Sequence, residues 1–277
     1  MSYKRIVTVQ DISCFGQCSL TVALPIISAC KIETCILPSA VLSTHTGGFS
    51  GFTFRDLTSD MPLIIDHWEK EKIFFDGVYT GYLGSVDQIE YVKRIKKNLL
   101  KENGLLFVDP AMADNGKLYS IFDMKYAKEM AKLCSEADVI LPNITEACFM
   151  TDIEYREEYG ESYVDEILTA LTKIGAKTIV LTGVGYTPDT TGVVVYKDGV
   201  KQYYKHRKIE KGCHGTGDVY SSAFVGAYLN GKTLIESAKI AADYTLKCIE
   251  NTTGDKEHWY GVKFETALNF LTKEIED

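Results

Sequence analysis

Lys211-Gly212-Cys213-His214-Gly215-Thr216-Gly217-Asp218, running into Val219-Tyr-Ser-Ser-Ala-Phe-Val-Gly226, is the stretch from which the rest of the chain can be read. Three glycines within six residues let the backbone turn tightly and approach a ligand closely. The small and apolar residues after them predict a helix, and the first N–H groups of a helix have no partner inside it. Glycine loop and helix start together make an anion cradle. Asp218 stands where the loop becomes helix. It reads as a helix cap, because aspartate favours helix starts, or as a catalytic carboxylate beside a bound phosphate. Capping accounts for Asp218 alone and leaves the three glycines unexplained.

Outward from this stretch the chain alternates between apolar runs and helical patterns. Strands are expected at residues 6–9, 34–37, 77–80, 105–108, 138–141 and 178–181. Helices are expected at 20–29, 61–72, 86–101 (ended by Gly104), 122–135, 161–174, 217–229, 233–250 and 262–275, with a further helix opening at Pro142-Asn143-Ile-Thr-Glu146. Residues 111–117 read as a loop. Lys197-Asp198-Gly199 between residues 192–196 and 201–205 is a hairpin signal and predicts an antiparallel edge. Strands alternating with helices of ten or more residues predict one α/β domain over residues 1–277, a three-layer α-β-α arrangement around a mostly parallel sheet. Ligands in such folds bind beyond the carboxyl ends of the strands, where the polar clusters of this sequence fall.

Composition excludes several classes. A formal charge of −8 without a dense Lys/Arg run argues against nucleic acid and anionic membrane as partners. No apolar stretch approaches the length of a membrane span and the N-terminus does not read as a signal peptide, so a cytoplasmic protein is expected. Eight cysteines without a Cys-x-x-Cys pair suggest neither a disulfide framework nor a zinc site. Gly226-Ala-Tyr-Leu-Asn-Gly231-Lys232-Thr233 matches the Walker A pattern, but it follows helical spacing rather than a strand. It reads as a helix C-cap at Asn230-Gly231 followed by an N-cap at Thr233.

The Gly-x-Gly-Asp entering a helix resembles the ribokinase-like small-molecule kinases. By that resemblance Asp218 is the base that accepts the substrate hydroxyl proton, and Gly215, Thr216 and Gly217 form the cradle for the transferring phosphoryl group. Such transfer asks little covalent chemistry of a protein beyond orientation and charge stabilisation. Thr44-His45-Thr46-Gly47, Thr80-Gly81-Tyr82-Leu-Gly-Ser85, Asp109-Pro-Ala-Met-Ala-Asp114 and Pro142-Asn143-Ile-Thr-Glu146 are together similar to the motifs of pyridoxal (pyridoxine, pyridoxamine) kinases. The resemblance implies that His45, Thr46 and Tyr82 contact the pyridine substrate, and that Asn143, Thr182 and Gly183 lie near the ATP phosphates. It implies that Asp109, Asp114 and Glu146 serve magnesium, with room for a monovalent cation, K+, and it suggests a homodimer. Each group has a plainer reading as well: Asp109-Pro110 and Asp114-Asn-Gly form turns, and Asn143 with Glu146 resembles a capping box.

Two positions depart from the family pattern. Ala113 replaces a glycine, which bears on the loop conformation. Asp11 stands where well-known pyridoxal kinases carry serine, and is expected to face the pyridine ring and pair with a protonated ring nitrogen. The nearest rival is a hydroxymethylpyrimidine (phosphate) kinase, which usually carries cysteine in place of Asp218 and a Gly-Gly-Ala-Gly-type loop in place of Cys14-Phe-Gly16-Gln. A catalytically silent vitamin-binding protein is the rival from another class. Cys213, five residues before Asp218, could form a reversible adduct with an aldehyde substrate if its thiol were ionised.

Overall fold

The computed structural model describes residues 3–209 and 214–276. The adduct suggested for Cys213, and Lys211 and Gly212 of the cradle, lie outside the described residues. The first half of the chain runs β1 (Arg5–Ser13), α1 (Leu20–Ala29), β2 (Glu33–Leu42), β3 (Phe54–Asp56), α2 (Met61–Lys70), β4 (Phe75–Thr80), α3 (Val86–Leu99) and β5 (Leu100–Val108). A small hairpin, β6 (Ala113–Asp114) and β7 (Lys117–Leu118), precedes α4 (Met124–Glu136), β8 (Val139–Ile140), α5 (Ile144–Thr151), α6 (Glu161–Lys173) and β9 (Thr178–Thr182). The chain closes with β10 (Thr190–Lys197), β11 (Val200–Arg207), α7 (Thr216–Leu229), α8 (Leu234–Thr252), a 3-10 turn (Phe264–Ala267) and α9 (Leu268–Glu276).

Among the described residues the main sheet has the order β11-β10-β9-β8-β5-β4-β1-β2-β3. The six strands from β2 to β9 within that order are parallel, while β3, β10 and β11 pair antiparallel at the edges. Alternate residues of the central strands feed opposite cores, as strand geometry requires. In β5, Leu106 and Val108 pack beneath α2 to α6, whereas Phe107 packs toward α1, α7 and α8. In β9, Ile179 and Leu181 face the first core and Val180 the second. The result is the three-layer α-β-α fold that the alternation of strands and helices predicts.

Three expectations need correction. The third helix stops at Leu99 rather than 101, and Gly104 does not end it but lies within β5. Leu100 is already extended (φ −81°, ψ 132°), and the pairing with β4 slips between Phe75–Leu100 and Gly77–Leu105, which absorbs the polar residues 101–104. Residues 111–117 are not a plain loop, because Asn115 and Gly116 take positive φ (49° and 74°) and close the β6–β7 hairpin. The last helix is broken into the 3-10 turn and α9. The Walker-like segment is a helix junction: α7 ends at Leu229, Gly231 has φ 92°, and Thr233 caps α8 with Glu236 in a capping box. Gly226 is a packing residue there, since a Cβ would lie 2.4 Å from the Cys30 sulfur.

Candidate active site

The carboxyl ends of β1, β4 and β5 converge on the N-terminus of α7, where Asp11, Tyr79 and Asp109 share the electrostatic surroundings of Asp218. Gly215 is the N-cap of α7, with φ 75° and no side-chain cap bond, so Thr216, Gly217 and Asp218 form its first turn. A Cβ on Gly215 would lie 1.9 Å from the Gln17 carbonyl oxygen, which explains why this close crossing needs glycine. Asp218 is therefore not the cap. Its Oδ2 accepts instead from the backbone N–H of Ser19, 2.9 Å away across the mouth of the sheet. Ser19 holds a left-handed backbone (φ 55°) just before α1, a strained conformation of the kind found at functional sites.

Burial pushes the Asp218 carboxyl up to about 7, and the negative charges of Asp109 and Asp11 add to that rise against the Ser19 hydrogen bond. Asp109 follows β5 directly and is 8% exposed. Its Oδ2 accepts from the Ser221 hydroxyl at 2.7 Å and its Oδ1 from the Ala111 N–H at 3.2 Å. Ser221 lies three residues after Asp218 on the same face of α7, so one helix positions both acids. Burial also raises Asp109 above the usual carboxylate range.

Glu146 and Asn143 form a capping box on α5. Glu146 is 2% exposed, and its second oxygen accepts from the Met112 N–H at 3.0 Å. Burial raises its pKa well above normal and the Asp109 charge raises it further, so two buried acids oppose each other here. Asp114 does not join them. It is exposed on the β6–β7 hairpin and bonds to its own neighbour Asn115. Among the described residues no three His, Cys, Asp or Glu side chains, Asp109, Asp114 and Glu146 included, converge as a preformed metal-ligand set. Asn143 and Thr182 are bridged across β8 and β9, with Gly183 (φ 72°) exposed beyond them.

Asp11, His45, Thr46 and Tyr82 occupy the other end of the same mouth. Asp11 is 6% exposed and its Oδ2 accepts from the Ser13 hydroxyl at 3.1 Å, with Ser19 as a further partner. Burial raises it, and its charge is felt by Cys18, His45, Tyr82 and Asp218. His45 is buried with both ring nitrogens engaged. Nδ1 accepts from the Gly47 N–H at 3.1 Å, so Nε2 carries the proton and donates to the Tyr260 carbonyl at 2.7 Å. Burial lowers its pKa and keeps the ring neutral. Thr46 is exposed, and Tyr82 is half-buried with its ring 5.8 Å from Phe122. The loop that carries His45 and Thr46 ends before Phe54 and Arg55, which belong to the edge strand β3.

Sequence reasoning missed several members of this site. Ser19 and Ser221 hold the two central acids, and the i, i+3 spacing from Asp218 was the available signal for Ser221. Tyr119, half covered, feels the charges of Glu146, Asp114, Asp218 and Asp109. His258, Trp259 and Tyr260 approach from the far end of the chain, and no local pattern announces them.

A phosphomethylpyrimidine kinase family model matches residues 70–262. A Bacteroides thetaiotaomicron structure containing pyridoxal, provisionally assigned as a phosphomethylpyrimidine kinase, is 37% identical (TM-score 0.91) and aligns over 98% of this chain and 96% of its own. The pyridoxal kinase of Lactobacillus plantarum is 30% identical (TM-score 0.90), with 98% of each chain covered. The pyridoxal kinase of Dictyostelium discoideum is 31% identical over 54% of this chain, a match that spans only 52% of that protein. Hydroxymethylpyrimidine/phosphomethylpyrimidine kinases are also matched. The chain belongs to the phosphomethylpyrimidine kinase family, within the ribokinase-like superfamily whose pyridoxal kinases it resembles in sequence and fold.

Proposed function

We propose that the protein is a pyridoxal kinase that transfers the γ-phosphoryl group of ATP to the 5′-hydroxymethyl oxygen of pyridoxal, pyridoxine or pyridoxamine. The observation that carries this reading is Asp218, a carboxylate held by Ser19 at the open start of α7 with its pKa near neutrality. A general base works best when its pKa lies near the working pH. Asp218 takes the hydroxyl proton as the oxygen attacks phosphorus, the bond to the β-phosphate oxygen breaks, and ADP leaves. The backbone of Gly215, Thr216 and Gly217, at the start of α7, faces the charge that develops on the phosphoryl oxygens. Asn143, Thr182 and Gly183 flank the proposed nucleotide end.

The donor set suits magnesium held largely through water. Asp109 and Glu146 are hard oxygen donors, both buried, and each is opposed by negative charge rather than relieved by a cation among the described residues. Magnesium would offset the phosphate charges of ATP, and Asp114 on its hairpin and a K+ ion belong to the same proposal. At the vitamer end, Asp11 pairs with the protonated ring nitrogen, His45 presents a neutral ring, and Thr46 and Tyr82 complete the contacts. A cytoplasmic homodimer goes with this reading.

The family model and the matched relatives favour one second reading, a hydroxymethylpyrimidine (phosphate) kinase. The two substrates differ in the ring that Asp11 is proposed to face. Asp11→Ser should weaken pyridoxine binding and flatten its dependence on pH. An unchanged affinity and pH dependence would remove Asp11 from the ring nitrogen.

A further inference from the structure

Residues 255–261 have no part in the transfer described above, yet they touch the site at four points. The Tyr260 carbonyl accepts from His45 Nε2 at 2.7 Å. The Tyr260 ring lies 4.7 Å from Phe15 and the Trp259 ring 4.6 Å from Phe49, between ring centres. His258 Nε2 donates to Gln17 Oε1 at 3.0 Å, while Gln17 Nε2 donates to Glu265 at 2.8 Å. The segment is anchored at its base, where Asp255 receives the N–H groups of Glu257 and His258 and the Lys263 ammonium.

The opposing loops are shaped to this segment. Gly48 has φ 81°, and a Cβ there would lie 2.8 Å from the Trp259 ring. Gly16 has φ 101°, and a Cβ would lie 2.2 Å from the His45 ring. Gln17 also carries the contact to the other end of the site, since its carbonyl is the atom that excludes a side chain at Gly215. The segment thus meets the Gly16-Gln17 turn, the loop of His45 to Phe49 and, through Gln17, the start of α7. Trp259 nevertheless remains 43% exposed, so it is not a core residue whose loss would unfold the chain.

We propose that His258, Trp259 and Tyr260 form a positioning strap for the vitamer end of the site. Tyr260 fixes the tautomer and orientation of His45 through its carbonyl, and Trp259 holds Gly47, Gly48 and Phe49 over the bound ring. The inference rests on the placement of the vitamer beside Asp11 and His45. The ring contacts of Trp259 and Tyr260 reach only the vitamer-end loops, so their loss acts on the organic substrate before the nucleotide, which separates the strap from a general structural role.

The chain has two tryptophans, and Trp68 packs far from the strap in sequence against Phe75. The full-length Trp68→Phe variant therefore leaves Trp259 as the only indole reporter. Pyridoxine binding, followed in parallel by calorimetry, should change Trp259 emission, whereas ADP alone should not. Trp259→Ala should raise the pyridoxine KM about five- to ten-fold, as loss of one aromatic pair implies, with the ATP KM unchanged and Trp259→Phe restoring most of the difference. Calorimetric binding without a change in emission, or equal rises in both KM values, would overturn the strap. If 4-amino-5-hydroxymethyl-2-methylpyrimidine alone binds, is phosphorylated and alters Trp259 emission, the strap stands and the vitamer reading fails. Binding of neither compound would overturn both.

Discussion

Replacing Asp218 by Asn should stabilise the protein while nearly abolishing its turnover. The carboxyl is pushed from its ordinary 3.8 to about 7, chiefly by burial. At about 1.36 kcal/mol per unit, that shift corresponds to about 4 kcal/mol of folding free energy forfeited when the folded state must hold the charge. The side chain is only half-buried and its Ser19 bond favours the charged form, so a realistic gain for Asn is about 1–2 kcal/mol. For a chain of this size that is about 2–6 °C in Tm. The sign follows from linkage. The folded state keeps its proton up to about pH 7 and the unfolded state releases it near 3.8, so the wild type loses stability as pH rises through that window. The advantage of Asn is full at pH 8 and shrinks to well under half by pH 5. Thermal unfolding of both proteins between pH 5 and 8, beside kcat with pyridoxal, tests this directly. Turnover should fall about 10²–10⁴-fold, the usual worth of a general base. A variant less stable than wild type at pH 8, or a Tm difference independent of pH, would refute the picture of a base whose charge burial disfavours.

The acid limb of kcat/KM should have its midpoint near pH 7 in the free enzyme, and Asp109→Asn should move it to lower pH, because the Asp109 charge helps raise Asp218. A limb that stays in place in that variant would break the electrostatic link. Ser221→Ala leaves Asp109 with one fewer partner and should cost about 1–3 kcal/mol in stability by denaturant titration, with a further loss of kcat. Lys232→Ala should leave the ATP KM unchanged because the Walker-like match is a helix junction. Gly226→Ala should instead lower Tm, since its Cβ would meet Cys30.

Much of this fold was legible because its signals are local. The extent of α1 follows the apolar run of Leu20–Ala29, and the capping box of α5 joins Asn143 to Glu146 three positions on. The hairpin at Asp198-Gly199 was equally plain, as both residues take the positive φ such a turn requires. The end of α3 was less so, because a register slip against β4, and not Gly104, decides where strand begins. Within the site, Asp218 and Asp109 were visible from their positions at a helix start and a strand end. Their holders were not, since Ser19 reaches Asp218 across 199 positions of sequence and Ser221 reaches Asp109 across 112. Asp114 was visible as a motif position, but not that the β6–β7 hairpin leaves it exposed beside Asn115. The aromatic strap at residues 258–260 depends wholly on tertiary contacts and left no pattern to find.

Vitamer kinase activity is measured by incubating the purified protein with ATP and magnesium and giving it pyridoxal, pyridoxine, pyridoxamine and 4-amino-5-hydroxymethyl-2-methylpyrimidine in turn. Products would be identified by mass spectrometry and kcat/KM measured for each. 5′-Phosphorylated vitamers are expected, with at least one vitamer favoured over the pyrimidine. Preference for the pyrimidine, or no transfer to any vitamer, would contradict the pyridoxal kinase reading.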